Sequence, residues 1–526
     1  MTFKIEVVFL FLFSCANAGR LFWKNLELES SLLDYSVLTN GTLRSKCLQD
    51  PNCPIKTSNG TSTRCWGYEP SCRFEDSYSA DLLKCYGKSD WPGVEDKPSH
   101  KKLFWTQGDF GLLKQQVDTL RPICESNDLA NSFLECSAHL RWCRGRNLVF
   151  DFKNLRAKTS RRYRDDVIGA GQVGGNCDSH FDSKLLANRT DELSYLQSWG
   201  YELRHYESSE KFRVDDSNCD VIFEKPTYII KLDASINMYH HFCDFINLFA
   251  TQFINESFSR DVDIFWWDTS PDGYVDETFG ATWRAFSSTT PKELIKYDGK
   301  RVCFRDAVFS LLARQRMGLY YNMPLVDGCV GSGLFRAFSR HLLHRLNVAQ
   351  VGPLRDKVRI TLLERKTRYR RIVNVEELKN VLRNLPNVKF ISVNYGSEIP
   401  FEAQLYLTHN TDVFIGMHGS GLTHLLALPD WAVLFELYNC GDVDCYRDLS
   451  RLRGLNYLTW SKSNAIRPDV PGRHPTSGTP HEKFANYEFD VEEFKRLCNL
   501  AVEMVRRHPI FVQHQRQLRR SAKAEL

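Results

Sequence analysis

Between residues 355 and 460 the chain alternates short β-branched runs with helix-period segments, and that order constrains the fold more than any other feature. "KVRITLLERK" reads as a strand, "NVEELKNVLRNL" as a helix, "VKFISVNY" as a strand, "FEAQLYLTHN" as a helix and "TDVFIGMHG" as a third strand. Strands separated by whole helices cannot pair as hairpins, so they join parallel neighbours through right-handed crossovers. The segment is expected to be a Rossmann-like unit whose ligand loops gather at the carboxyl edge of a parallel sheet.

A second α/β unit precedes it, with "CDVIFEKPTYIIKLD" as strands, "MYHHFCDFINLFATQFINESF" as a helix and "DVDIFWWD" as a strand. The helix "LFRAFSRHLLHRLN" at 334–347 and the breaker Gly352-Pro353 separate the two units. Residues 19–150 hold half of the mature cysteines and many aromatics with little periodicity, the texture of a disulfide-stapled region. The expected organisation is a leader at 1–18, a cysteine-rich region at 19–150, Rossmann-like domains at 151–350 and 351–480, and a C-terminal helix and tail at 481–526.

The opening "MTFKIEVVFLFLFSCANAG" has a lysine, an apolar core and a small-x-small end, as a signal peptide does. The apolar run is too short for a hydrocarbon layer about 30 Å thick, and no later run is longer. Of 17 cysteines, Cys15 lies in the leader, which leaves an even number for pairing in an oxidising lumen. Sequons at Asn40, Asn59, Asn188 and Asn255 fit the same compartment. The terminal Lys523-Ala524-Glu525-Leu526 differs at one position from the K-D-E-L retrieval signal, so the expected location is the endoplasmic reticulum lumen. A near balance of 69 Lys and Arg against 64 Asp and Glu argues against a nucleic-acid or membrane-surface binder.

The third strand of the later unit runs into His418-Gly419-Ser420-Gly421 and then an apolar helix at 422–428. Such a loop lets a phosphate approach backbone N–H groups at a helix start, and position 424 is His, so the full G-x-G-x-x-G dinucleotide pattern is absent. The first strand ends in "RKTRYRRIVN", where Arg365, Arg368, Arg370 and Arg371 are suited to grip phosphate oxygens. Glu436, at the end of "AVLFE", is placed to accept hydrogen bonds from ribose hydroxyls. In "NMYHHFCDF", Asp244 lies three residues after His241 and four after His240, so it could orient either histidine as a general base.

"NMYHHFCDFINLF", "KRVCFRDAVFSLL", "GLFRAFSRHLLHRLN", "YRRIVN", "THNTDVFIGMHGSGLTHLLALPDWAVLFELYNC", "FDVEEF" and "CWGYEPSC" together closely resemble animal members of glycosyltransferase family 61, over essentially the whole mature chain. The resemblance implies a glycosyltransferase type B fold, with an acceptor-side first domain and a nucleotide-sugar-binding second one. It implies transfer of N-acetylglucosamine from UDP-GlcNAc, with inversion, to Ser or Thr hydroxyls of folded EGF repeats in Notch-like receptors and matrix proteins. By position, Arg365, Arg371 and the loop from His418 to Gly421 fall where the family handles the diphosphate, and His241 and Asp244 fall where acceptor and sugar meet. Where relatives carry an acidic D-x-D triplet, this chain has Ser288-Thr289-Thr290, and Asp261-Val262-Asp263 does not match that place. No metal ligands and no cofactor are therefore expected, only arginine and helix-terminus neutralisation of the leaving diphosphate. The alternatives are a related transferase acting on O-mannose or another glycan, and an inactive EGF-binding lumenal chaperone.

Overall fold

The computed structural model describes residues 23–524, apart from residues 40, 58–64, 87–95, 154, 156–163, 178, 190–194, 269–275, 316–317, 320–324, 439, 443 and 461–464. The leader, Asn40, Asn59, Glu525 and Leu526 lie outside the described residues.

Two large sheets carry the architecture. In the first, β1 (Arg121–Glu125), β2 (Phe133–Cys136) and β3 (Cys143–Asp151) join β4 (Val221–Phe223), β5 (Thr227–Ile230), β6 (Asp263–Trp266) and β7 (Arg301–Phe309). β6, β5 and β7 are parallel, as their intervening helix and long connections require, whereas β7, β3, β2 and β1 form an antiparallel ladder. This half is thus a mixed sheet rather than a plain parallel layer. Its pairing of Arg301 with Asp151 and Phe309 with Cys143 crosses the boundary expected at 150/151. The end of the cysteine-rich stretch therefore belongs to the sheet, and composition alone marked no structural break there.

Helix α1 (Met238–Ile254) follows β5. Its sequence is apolar nearly all round, so it is buried nearly all round, with Phe242, Phe245 and Phe249 fully enclosed. Burying each of these rings contributes on the order of 2–3 kcal/mol. They pack with Phe335 and Phe338 of α2 (Gly333–Arg345) and with Leu422 and Leu425 of the second half, so one continuous apolar core joins the two halves.

The second sheet contains β8 (Val358–Leu363), β9 (Val388–Val393), β10 (Val413–Gly416), β11 (Val433–Glu436) and β12 (Asn456–Thr459), all parallel, in the spatial order β9-β8-β10-β11-β12. The connecting helices include α3 (Val375–Arg383), α4 (Phe401–His409) and α5 (Cys445–Arg453). Val413 and Ile415 face one cluster with Leu497 and Ala501 of α6 (Val491–Arg507), while Phe414 faces the shared core. Helices on both faces are why β10 is an unbroken apolar run. The chain continues into α7 (Pro509–Ala524), where Lys523 is exposed. The strand order reverses between β8 and β10, so a crevice opens at their carboxyl ends, the usual ligand position in such a sheet.

Six disulfides form: Cys47–Cys53, Cys65–Cys72, Cys85–Cys329, Cys124–Cys177, Cys136–Cys143 and Cys219–Cys303. Full pairing was expected from the even count, but Cys243, Cys440, Cys445 and Cys498 remain thiols. Cys243 and Cys498 sit in different apolar clusters and act there as small hydrophobes. Among the described residues no helix is long and apolar enough to cross a membrane.

Candidate active site

A cavity of about 620 Å³ lies at the crevice between β8 and β10, closed from the other half by the first turn of α1. Asn237 caps that helix, its Oδ1 accepting from the Tyr239 N–H at 3.1 Å, and Tyr239 and His240 line the cavity wall. Opposite stand Arg370, His418, Gly419 and Ser420. Tyr446 of α5 has its ring 5.6 Å from Tyr239 and 5.2 Å from His418, so an aromatic floor runs across both halves.

On the α1 side the structure separates the two neighbouring histidines. His240 has a side chain 23% exposed, with Nδ1 3.0 Å from Asp233 Oδ2. Asp233 also accepts from Arg314, with Nη2 2.7 Å from Oδ1 and Nε 3.0 Å from Oδ2. Burial alone would push the Asp233 carboxyl up, but hydrogen bonds from His240 and Arg314 outweigh it and hold the group below the usual range. An ionised Asp233 keeps the proton of a neutral His240 on Nδ1, which leaves the lone pair on Nε2.

His241 faces the other way. It is fully buried, with Nδ1 3.1 Å from Asp244 and Nε2 2.7 Å from Asp276. Both ring nitrogens are engaged inside the core, so His241, expected as the base oriented by Asp244, is not presented to this cavity. One residue along a helix turns the side chain by about 100°, enough to exchange the cavity for the core.

On the sheet side, Gly419 has φ 151°, a conformation that favours glycine, and an added Cβ would overlap Nη1 of Arg365 while lying 3.3 Å from Nη1 of Arg370. Arg370 donates from Nη1 to the His418 carbonyl at 3.0 Å. Burial first, and Arg370 second, lower Arg365 to about 10. Among the described residues neither guanidinium has a carboxylate partner, and Nε of Arg370 is buried without an acceptor. Two adjoining cations without a counter-charge mark an anion seat. Arg371 is exposed, its backbone tied to Asn486 and Tyr487, and does not line this cavity. Arg370 stands where Arg371 was expected.

The remaining residues of the loop divide their work. Ser420 begins a 3-10 helix over Ser420–Ala427 in place of the expected helix at 422–428. Gly421 is needed for packing, since a Cβ there would come within 2.8 Å of Leu363 Cδ2. His418 Nδ1 is 2.7 Å from Glu436 Oε1, and the Tyr457 hydroxyl donates to Oε2 at 2.6 Å. Glu436 is fully buried with both oxygens occupied, so it anchors His418 and is not presented to a ribose. Lys483 closes the cavity's far side in an ion pair with Asp442, and a neighbouring cavity of about 660 Å³ lined by Tyr438, Tyr487 and Pro471 begins behind it.

The family model described as Glycosyltransferase 61 matches residues 238–435. A Bos taurus protein named "EGF domain-specific O-linked N-acetylglucosamine transferase" is 46% identical over 488 residues, 93% of this chain and 91% of that one. Proteins of the same name from Gallus gallus and Drosophila melanogaster are 45% and 44% identical, covering 94% and 86% of this chain and 93% and 87% of their own. The chain belongs to glycosyltransferase family 61. The segment matched to the family begins with α1 and ends in β11, so it contains His240, Arg370 and Gly419 of the cavity lining and Arg365 behind Gly419, but not the side formed by residues 441–446 and Lys483.

Elsewhere in this family 61 chain, Asp261 pairs with Lys225, and Asp263 accepts from Thr289 at 3.0 Å. The described residues offer two clusters with metal-ligand proximity, Cys85/His100/Cys329 and Cys65/Glu69/Cys72, and both hold their sulfurs in disulfides. Asn188 is exposed on the helix Ser183–Arg189, whereas Asn255 donates from Nδ2 to the buried Tyr228 hydroxyl at 3.2 Å.

Sequence reasoning weighed His240 and Arg370 without selecting them, and missed Asp233, Arg314 and Lys483. The loop reversal that brings Asp233 back to His240 left no periodic signal in the sequence.

Proposed function

We propose that this chain transfers N-acetylglucosamine from UDP-GlcNAc to Ser or Thr hydroxyls of folded EGF repeats, with inversion at the anomeric carbon. The observation that carries the reading is Arg370 and Gly419 facing His240 across one cavity, with the second guanidinium, Arg365, packed against Gly419. The names of the relatives supply the sugar and the acceptor class. Two α/β halves meeting at a cleft support a type B glycosyltransferase arrangement, with 351–480 as the donor-binding side and 151–350 as the acceptor side.

In the proposed reaction Nε2 of His240 takes the proton from the acceptor hydroxyl, whose oxygen attacks the anomeric carbon as the bond from that carbon to the diphosphate oxygen breaks. UDP leaves with its added charge held by Arg365, Arg370 and the backbone N–H groups at 419–421, donors fixed before the charge develops. No divalent cation is needed, because two guanidiniums already supply the positive charge. The aromatic cavity of Tyr438 and Tyr487 is a seat for uracil. Oxidised cysteine pairs support action in the endoplasmic reticulum lumen, on EGF-repeat proteins such as Notch-like receptors and matrix proteins.

The test is mass spectrometry of a folded EGF repeat incubated with the protein and UDP-GlcNAc in EDTA. One added N-acetylhexosamine on a Ser or Thr is expected, with the rate lowered about 10²–10⁴-fold by His240→Ala and little changed by exposed Arg371→Ala. Absence of transfer by folded protein, or full activity in His240→Ala, would refute the reading.

A further inference from the structure

We infer that Asp276, His241 and Asp244 form a buried clamp that positions Asp233, and through it the imidazole of His240; this rests on the reading of His240 as the base. The contacts run without a gap. His241 lies between Asp276 at 2.7 Å and Asp244 at 3.1 Å. Asp244 then accepts the backbone N–H of Asp233 on both oxygens, at 3.1 and 3.3 Å. The carboxylate of that same Asp233 holds His240 Nδ1 at 3.0 Å, with Arg314 on its other side. Asp233 is thus fixed by its backbone from the core and by its side chain from the cavity.

The clamp is an expensive way to fill space. The side chains of His241, Asp244 and Asp276 are 0%, 1% and 3% exposed, where apolar residues of similar volume would pack as well. Asp276 is itself fastened, accepting from Phe279 N at 2.9 Å and Trp283 Nε1 at 3.0 Å, so the chain of contacts starts from a rigid turn. Burial opposes charge on His241, yet the two carboxylate hydrogen bonds raise its pKa above the ordinary value. Burial, against the pull of His241, pushes Asp244 up to about 6. One imidazolium between two carboxylates leaves the trio short of one positive charge, and the buried backbone dipole of the Asp233 N–H supplies part of it. The charged cluster and the orientation of Asp233 are therefore coupled, and these three are positioning residues.

The experiment is a double-mutant cycle on the full chain, measuring transfer to a folded EGF repeat, with UDP affinity followed by calorimetry. Asp244→Asn is expected to lower kcat about tenfold or more, with the KM for UDP-GlcNAc and the Kd for UDP unchanged. In a His240→Ala background the same substitution is expected to cause no further loss, because the group it positions is gone. Equal losses in both backgrounds, or a rise in KM that matches the fall in kcat, would overturn the inference. Asp276→Asn, at the far end of the clamp, repeats the cycle if Asp244→Asn melts early.

Ring ¹⁵N shifts of His240 separate the two ideas. The Nδ1-protonated tautomer is expected in the parent protein, and a mixture of tautomers in Asp244→Asn. An unchanged tautomer there would sink the clamp, whereas full transfer by His240→Ala would sink only the base assignment.

Discussion

Gly419→Ala tests the proposed diphosphate seat with a single carbon. At φ 151° an alanine is strained, and its methyl would overlap Arg365 Nη1 and come within 3.2 Å of Arg365 Cζ. The backbone strain costs about 1–3 kcal/mol of stability. The guanidinium must also leave the loop, since the other close group, Arg370, is held by the His418 carbonyl at 3.0 Å. Losing one charge-assisted hydrogen bond to a phosphate costs about 1.5–3 kcal/mol, roughly a 10- to 150-fold rise in the Kd for UDP. Calorimetry on the parent protein, Gly419→Ala, Arg365→Ala and the pair of substitutions reads this directly. The double variant is expected to bind UDP no more weakly than Arg365→Ala alone, because the methyl has nothing left to displace. Parent-like affinity in folded Gly419→Ala would refute the argument that loop and guanidinium bind the same anion. Additive losses in the double variant would show that the methyl acts on the backbone and not through Arg365.

Asp412→Ala is expected to cost about 3–5 kcal/mol in urea denaturation, because it strands the buried Arg359, whose Nη2 lies 2.8 Å from Asp412 Oδ1. It also leaves Trp431 Nε1 without the acceptor it has at 2.8 Å, and UDP affinity of the folded fraction should not change. Burial holds the His424 imidazole down to about 4 against its ordinary 6.5, so as pH falls the unfolded chain takes the proton first. The stability contributed by neutral His424 is complete above pH 6.5 and is lost toward pH 4, a decline of roughly 3 kcal/mol. Denaturation at both ends of that window should show a shallower decline in His424→Gln than in the parent protein.

The parallel sheet was legible because each of its strands is coupled to a local pattern. Val413–Gly416 is apolar on consecutive residues since helices cover both faces, and the helices between strands carry their own period. Arg365 and Gly419 were legible for the same reason, since strand order alone puts the loops after β8 and β10 at one crevice. The choice between neighbours was not. Arg370 turns toward the His418 carbonyl because its backbone is left-handed, at φ 59°, and nothing in "RYRRIV" assigns that conformation to one arginine over the next. His240 and His241 sit on a helix with no polar face wide enough to set its phase, so which ring meets the cavity depends on how α1 seats against Trp283 and Phe279. Glu436 was misread because its partners, His418 and Tyr457, come from the ends of two other strands. The mixed first sheet was missed in part because the Cys136–Cys143 hairpin reads, in sequence, as one more cysteine loop. Where a residue's role depends on the strand it belongs to, order along the chain suffices. Where it depends on side-chain direction within one turn, the deciding contact lies tens to hundreds of residues away, as between Arg314 and Asp233, separated by 81 positions.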